Sequence, residues 1–138
     1  MRLWHYELIP YLPRQQMLSQ LRECVAISKS IYEKGTPNHI LVNKIMEYPI
    51  EHFATYCYIV KWWMVKYGYS PSQSTEFAIS DYIEKSIIQH VPDDLLFDGW
   101  HNDRYLMQCV SNLEEKYDCG GIPEEEWLPI EDFILERL

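Results

Sequence analysis

The stretch PRQQMLSQLRECVAISKSIYEKG, running from Pro13 to Gly35, decides the fold. Its apolar residues Met17, Leu18, Leu21, Val25 and Ile31 recur at intervals of three, four and six or seven positions, the spacing of a helix rather than a strand. Pro13 suits the first position of that helix, where a missing amide hydrogen costs nothing. Gly35 supplies the stop. The predicted helix therefore runs from about Pro13 to Lys34.

Outward from it, Pro10 and Pro13 bracket a short extended N-terminal lead-in. On the other side Thr36, Pro37 and Asn38 predict a turn, with Asn38 as N-cap of a short helix ending before Pro49. Ile50 to Tyr67 is rich in aromatics, so a strand is an alternative on propensity. Its length, with Phe53, Cys57, Val60 and Met64 spaced by three or four, favours a helix closed by Gly68. Ser74 or Thr75 is placed to cap a further helix carrying Phe77, Ile79, Ile83, Ile87 and Ile88. Val91 to Gly99 reads as a connection. Asn102 or Asp103 caps a helix through Tyr117 with Leu106, Cys109, Val110 and Leu113 on one face, ended by Gly120 and Gly121. From Ile122 the chain turns acidic, with a short amphipathic helix expected after Pro129. The fold class is all-α: one compact, irregular domain of about five helices over residues 1–121, followed by an acidic amphipathic tail over 122–138.

The length fits one domain, and 47% hydrophobic residues suffice for a core. Arg2, His5 and Glu7 interrupt the apolar run that a signal peptide needs. No window approaches the roughly 18 apolar residues of a membrane span, so a cytoplasmic protein is expected. Cys24, Cys57, Cys109 and Cys119 form no Cys-x-x-Cys pair, and His5, His39, His52, His90 and His101 show no ligand spacing, so neither a metal site nor a cofactor is expected. Cys24 and Cys57 sit in apolar patterns, where free cysteines act as small hydrophobes. The net charge of −9 opposes nucleic-acid binding, which rests on cations neutralising phosphates. Its distribution changes that reading. Residues 1–70 hold eight basic and five acidic side chains, whereas the remaining 68 hold four basic and sixteen acidic. A positive face on an acidic molecule is consistent with this pattern.

Arg22 and Glu23, on the predicted first helix, form the sharpest chemical feature. An α-amine ordinarily titrates near about 7.7 to 8.0, which leaves a neutral, nucleophilic fraction at physiological pH. Attack on a sugar C1′ displaces the base and leaves an imine, and a carboxylate held close by can handle the protons and stabilise the opening sugar. On residue types alone, an Arg-Glu pair on a helix is more often a solvated face than a site. Trp62 and Trp63 carry a similar choice between base stacking and core packing. His5 and His101 stand between a role near the amine and a structural, hydrogen-bonded one.

The runs Met1-Arg2-Leu3-Trp4-His5, Leu12-Pro13-Arg14-Gln15-Gln16 and Arg22-Glu23-Cys24 resemble the pyrimidine-dimer DNA glycosylases related to phage endonuclease V. Lys66-Tyr67-Gly68-Tyr69, His101 and Leu113-Glu114-Glu115-Lys116 are similar to family segments as well, so the resemblance extends over most of residues 1–117. It implies that the Met1 α-amine is the nucleophile, Glu23 the key acid and Arg22 a phosphate contact. Gln15 sits where the family has a Gln, and the charge distribution predicts that Arg2, Arg14, Arg22 and Lys29 form a positive patch near the cleft, so the expected DNA-binding set is Arg2, Arg14, Gln15, Arg22 and Lys29. Three departures stand out. Bulky Arg2 should keep Met1 in place, Ala26 occupies the position of a second family arginine, and the chain ends acidic where the founding enzyme ends in an aromatic, DNA-contacting tail.

Two functions follow. The first is a DNA-repair glycosylase with abasic-site lyase activity on damaged double-stranded DNA, acting through imine formation. The second is an inactive glycosylase-like binding module whose acidic tail takes a basic protein partner.

Overall fold

The computed structural model describes residues 1–70 and 90–137. Among them are four α-helices and two 3-10 helices, with no strand. The helices are α1 (Arg14–Lys34), α2 (Ile50–Lys66), α3 (Asp103–Asp118) and α4 (Glu124–Arg137), with 3-10 helices at Tyr6–Tyr11 and Asn43–Glu47. The helix expected from Ser74 or Thr75 onward falls outside the described residues through residue 89.

The first helix is almost where the sequence places it. Pro13 is its N-cap rather than its first residue, and Gly35 closes it in the left-handed conformation at φ 77°. A proline has no side-chain acceptor for the free amides of the first turn, so the acceptor comes from elsewhere. The Glu126 carboxylate takes the Arg14 backbone N–H at 2.8 Å. The buried face is rotated from the expected stripe: it comprises Met17, Gln20, Leu21, Cys24, Ile27 and Ser28, while Leu18, Val25 and Ile31 are only partly buried.

Three local expectations need correction. The lead-in between Pro10 and Pro13 is extended only at Leu12; Tyr6–Tyr11 forms a 3-10 helix containing Pro10, and the residues before it are non-helical. The ring of His5 caps it by accepting the Glu7 N–H. Asn38 is not an N-cap, since it adopts a left-handed φ of 56° inside the turn, and the short helix after it begins at Asn43 behind Val42. Nor does the last helix wait for Pro129. It starts at Glu124 and carries Pro129 inside, where the ring removes one hydrogen bond of the ladder.

The core is one cluster. Leu3, Leu8 and Ile9 from the N-terminal segment meet Met17 and Leu21 of α1, Tyr56 and Val60 of α2, Phe97 and Trp100 of the connection, and Leu106 and Leu113 of α3. The acidic tail is docked. Trp127 and Ile130 are buried, Tyr117 stacks on Trp127, and Tyr11 stacks on Phe133. At its end, Arg137 pairs with Glu7 and Asp103 at 2.7 Å each. Cys24, Cys57 and Cys109 are buried free thiols, and Cys119 is exposed. No helix of the described residues is long and apolar enough to cross a membrane, and among these residues no His, Cys, Asp or Glu cluster has the arrangement of a metal site.

Candidate active site

Residues 2–6 lie in no sheet, so their backbone groups need other partners. Side chains from three helices and the connection supply them. The Arg2 N–H points at the Glu23 carboxylate at 3.5 Å. The Gln20 side-chain amide donates to the Arg2 carbonyl at 3.0 Å and to Glu23 at 3.3 Å. Its oxygen accepts the Trp4 N–H at 2.8 Å and the Tyr56 hydroxyl at 3.0 Å. That hydroxyl also donates to the Trp4 carbonyl at 2.6 Å. Tyr105 donates to the Leu3 carbonyl, and His101 Nδ1 accepts the Tyr6 N–H at 3.1 Å. Gln20 is fully buried, so its amide is a cross-brace between α1 and the N-terminal segment.

This bracing brings Met1 and Glu23 to the wall of one cleft of about 360 Å³. Trp4, Gln15, Gln16, Ser19 and Leu41 line it from the N-terminal half of the chain, and Asn112 and Lys116 from α3. Gln16, Ser19 and Glu23 share one face of α1 because they sit at intervals of three, four and seven. Lys116 lies with its ammonium 5.5 Å from the Trp4 ring centre. The wall is therefore polar, with a half-buried carboxylate, an amine and a cation around one space.

A family model described as pyrimidine dimer DNA glycosylase matches residues 1–77. That is more than half of the chain, and it contains the whole N-terminal brace on α1 and α2. The chain belongs to the pyrimidine dimer DNA glycosylase family. No curated protein and no solved structure matches it. Membership assigns a DNA-repair glycosylase type of function and DNA as the class of substrate at the family level.

In this family member the predicted site residues divide. Met1, Arg2, Gln15 and Glu23 line the cleft. Arg2 is drawn inward, its guanidinium 5.9 Å from the Trp4 ring and 5.8 Å from that of Tyr105. Arg22 is exposed, is not among the residues lining the cleft, and donates to Ser19 Oγ at 3.1 Å. Arg14 packs over Tyr69 at 5.5 Å and lines a neighbouring depression with Gln15 and Glu126, so the acidic tail places a carboxylate beside it. Lys29 is exposed and stands apart from the residues lining the cleft. Trp62 and Trp63, edge to face at 4.9 Å on α2, also stand outside that lining.

His5 and His101 are both buried in the core. His5 and His101 stack at 5.1 Å within a ring cluster that includes Phe97, Trp100 and Tyr105. Burial, with His5 as a lesser cause, holds the His101 imidazole well below its ordinary titration range. Burial also lowers His5. Because Nδ1 of His101 accepts a hydrogen bond, its proton sits on Nε2, a buried atom with no hydrogen-bond partner.

Gln20 and Lys116 were not singled out from the sequence. Gln20 left one signal: it is polar at a position three residues from both Met17 and Glu23, on what becomes the buried face of α1. Lys116 left only its place in the family-like segment Leu113 to Lys116, with nothing in that segment pointing to the cleft.

Proposed function

We propose that the chain removes a damaged pyrimidine from double-stranded DNA through the α-amine of Met1 and then opens the abasic site as a lyase. The single observation that carries this reading is that Met1 and Glu23 line one cleft, with the Glu23 carboxylate held against the first peptide N–H. In the first step the amine nitrogen forms a bond to C1′ while the glycosidic bond breaks, and the base leaves with that electron pair and a proton. The C1′–O4′ bond then opens, O4′ takes a proton and an imine remains. Glu23 supplies and removes these protons and offsets positive charge as the sugar opens. Elimination follows when a proton leaves C2′ and the 3′ phosphate departs with its electron pair. Gln20 keeps Glu23 and the Arg2 carbonyl in register, and Arg2 and Lys116 offer charge to phosphates.

The test is borohydride trapping. Hydride reduces the imine to a stable amine, so the protein becomes covalently joined to duplex DNA holding a pyrimidine dimer or an abasic site. The adduct should map to the Met1 nitrogen by mass spectrometry. A chain that forms no adduct with either duplex is not this enzyme.

A further inference from the structure

The turn between α1 and the second 3-10 helix is built to hold two aliphatic side chains in solvent. Pro37, Val42 and Ile45 are buried on either side of it. Five hydrogen bonds fix the backbone between them. Asn38 N donates to Thr36 Oγ1 at 3.2 Å, His39 N to Asn43 Oδ1 at 2.9 Å, and Leu41 N to His39 Nδ1 at 3.2 Å. The His39 carbonyl accepts Val42 N at 3.0 Å and Asn43 N at 2.8 Å. At the tip of this fixed turn Ile40 is 86% exposed and Leu41 47% exposed.

One exposed aliphatic residue requires no explanation. Two adjacent ones on a braced tip do when they stand at the lip of a reaction cleft. Leu41 lines the cleft that holds Met1 and Glu23. Leu41 and Arg2 also line the adjoining concavity of about 640 Å³, together with Ile40, Lys44 and Arg104. The aliphatic tip therefore stands beside both the reactive groups and three cations. A protein or lipid partner would explain the apolar pair but not its place beside the nucleophile and the basic side chains.

We propose that Ile40 and Leu41 form a wedge that enters a base step of duplex DNA beside the lesion, with Arg2, Lys44 and Arg104 on the flanking phosphates. The inference rests on the glycosylase reading above. A stacked nucleotide keeps its C1′ out of reach of a carboxylate set back in a cleft, so it has to be extruded or displaced. Apolar side chains that enter a step replace part of the lost stacking and kink the duplex. Ile40 and Leu41 suit this task because they are rigidly presented and already desolvate little protein surface. Single-stranded DNA has no step to open, so the wedge is needed only on duplex.

The experiment compares the parent chain with an Ile40→Ser variant, whose side chain is not among those lining the cleft of Met1 and Glu23, trapping each on the same abasic oligonucleotide in duplex and single-stranded form. Ile40 is exposed, and circular dichroism confirms that the variant is folded. Trapping of duplex should fall about tenfold or more while trapping of the single strand stays within about twofold. A fluorescent purine analogue next to the lesion should brighten with the parent and stay quenched with the variant. Equal trapping of duplex by both proteins overturns the wedge and leaves the glycosylase reading standing. An equal loss on both substrates overturns it in favour of a general contribution to DNA binding. A parent that traps neither substrate overturns both readings.

Discussion

The backbone nitrogen of Trp4 lies 2.8 Å from the side-chain oxygen of Gln20, a residue sixteen positions later and fully buried in α1. Replacing Gln20 by Leu keeps the volume but strands the Trp4 N–H and the Arg2 carbonyl. Each stranded buried group costs about 1–3 kcal/mol. Urea denaturation should show that loss, and the imine adduct should form more slowly even where the variant remains folded. A variant as stable as the parent would show that the brace contributes nothing.

Glu23→Gln should abolish lesion-directed cleavage while the fold and DNA binding persist. The amide can still accept the Arg2 N–H through its oxygen, so the ground-state geometry survives. What is lost is the negative charge and the capacity to move protons, which matter in the transition state. Gel assays of cleavage and binding on one damaged duplex separate the two. Cleavage unchanged in the variant removes Glu23 from the chemistry.

Glu126→Ala should lower stability by about 0.5–2 kcal/mol, the usual cost of losing a helix N-cap acceptor. The carboxylate takes the Arg14 N–H at the start of α1 and places negative charge at the positive end of the helix dipole. Thermal unfolding read by circular dichroism checks this. The variant also removes a charge beside Arg14 and Gln15, so its affinity for DNA should rise at low salt.

Stability should fall as pH drops below about 6.5, the ordinary value of a histidine in an unfolded chain. His5 and His101 both titrate lower than that in the fold because burial disfavours their charged forms. Below this pH the unfolded chain takes up protons that the folded chain refuses, so acid favours unfolding. The slope is at most about 1.4 kcal/mol per pH unit for each such histidine. His101→Asn should flatten the dependence measured by urea titrations between neutral and mildly acidic pH. An unchanged slope would assign the acid sensitivity to other groups.

The helical class was legible because the periodic residues of α1, α2 and α3 are long runs bounded by Pro13, Pro49, Asn102 and the glycines that follow. The details that failed depend on partners distant in sequence. Nothing near Pro13 announces that Glu126 caps its helix. Nothing in the alternation of Leu18, Val25 and Ile31 shows that the face of Gln20 and Cys24 turns inward instead. Pro129 looks like a boundary, yet the buried Trp127 and Ile130 on the same helix hold it in register. In the candidate site, the Arg22-Glu23 pair marks the right stretch of α1, but not that Glu23 lines the cleft while Arg22 does not, because adjacent helix residues point about 100° apart and only the packing decides which faces in.

The held N-terminal segment bears on the order in which the molecule is assembled. Residues 2–6 leave the ribosome early, but the hydroxyl that fixes the Leu3 carbonyl belongs to Tyr105, 102 positions later. The imidazole that fixes Tyr6 is 95 positions away. Contacts at such separations are closed late in folding, after local helices have formed. The segment that is synthesised first is thus anchored in two stages: Gln20 and Tyr56 can hold Arg2 and Trp4 once α1 and α2 have formed, whereas Leu3 and Tyr6 wait for Tyr105 and His101.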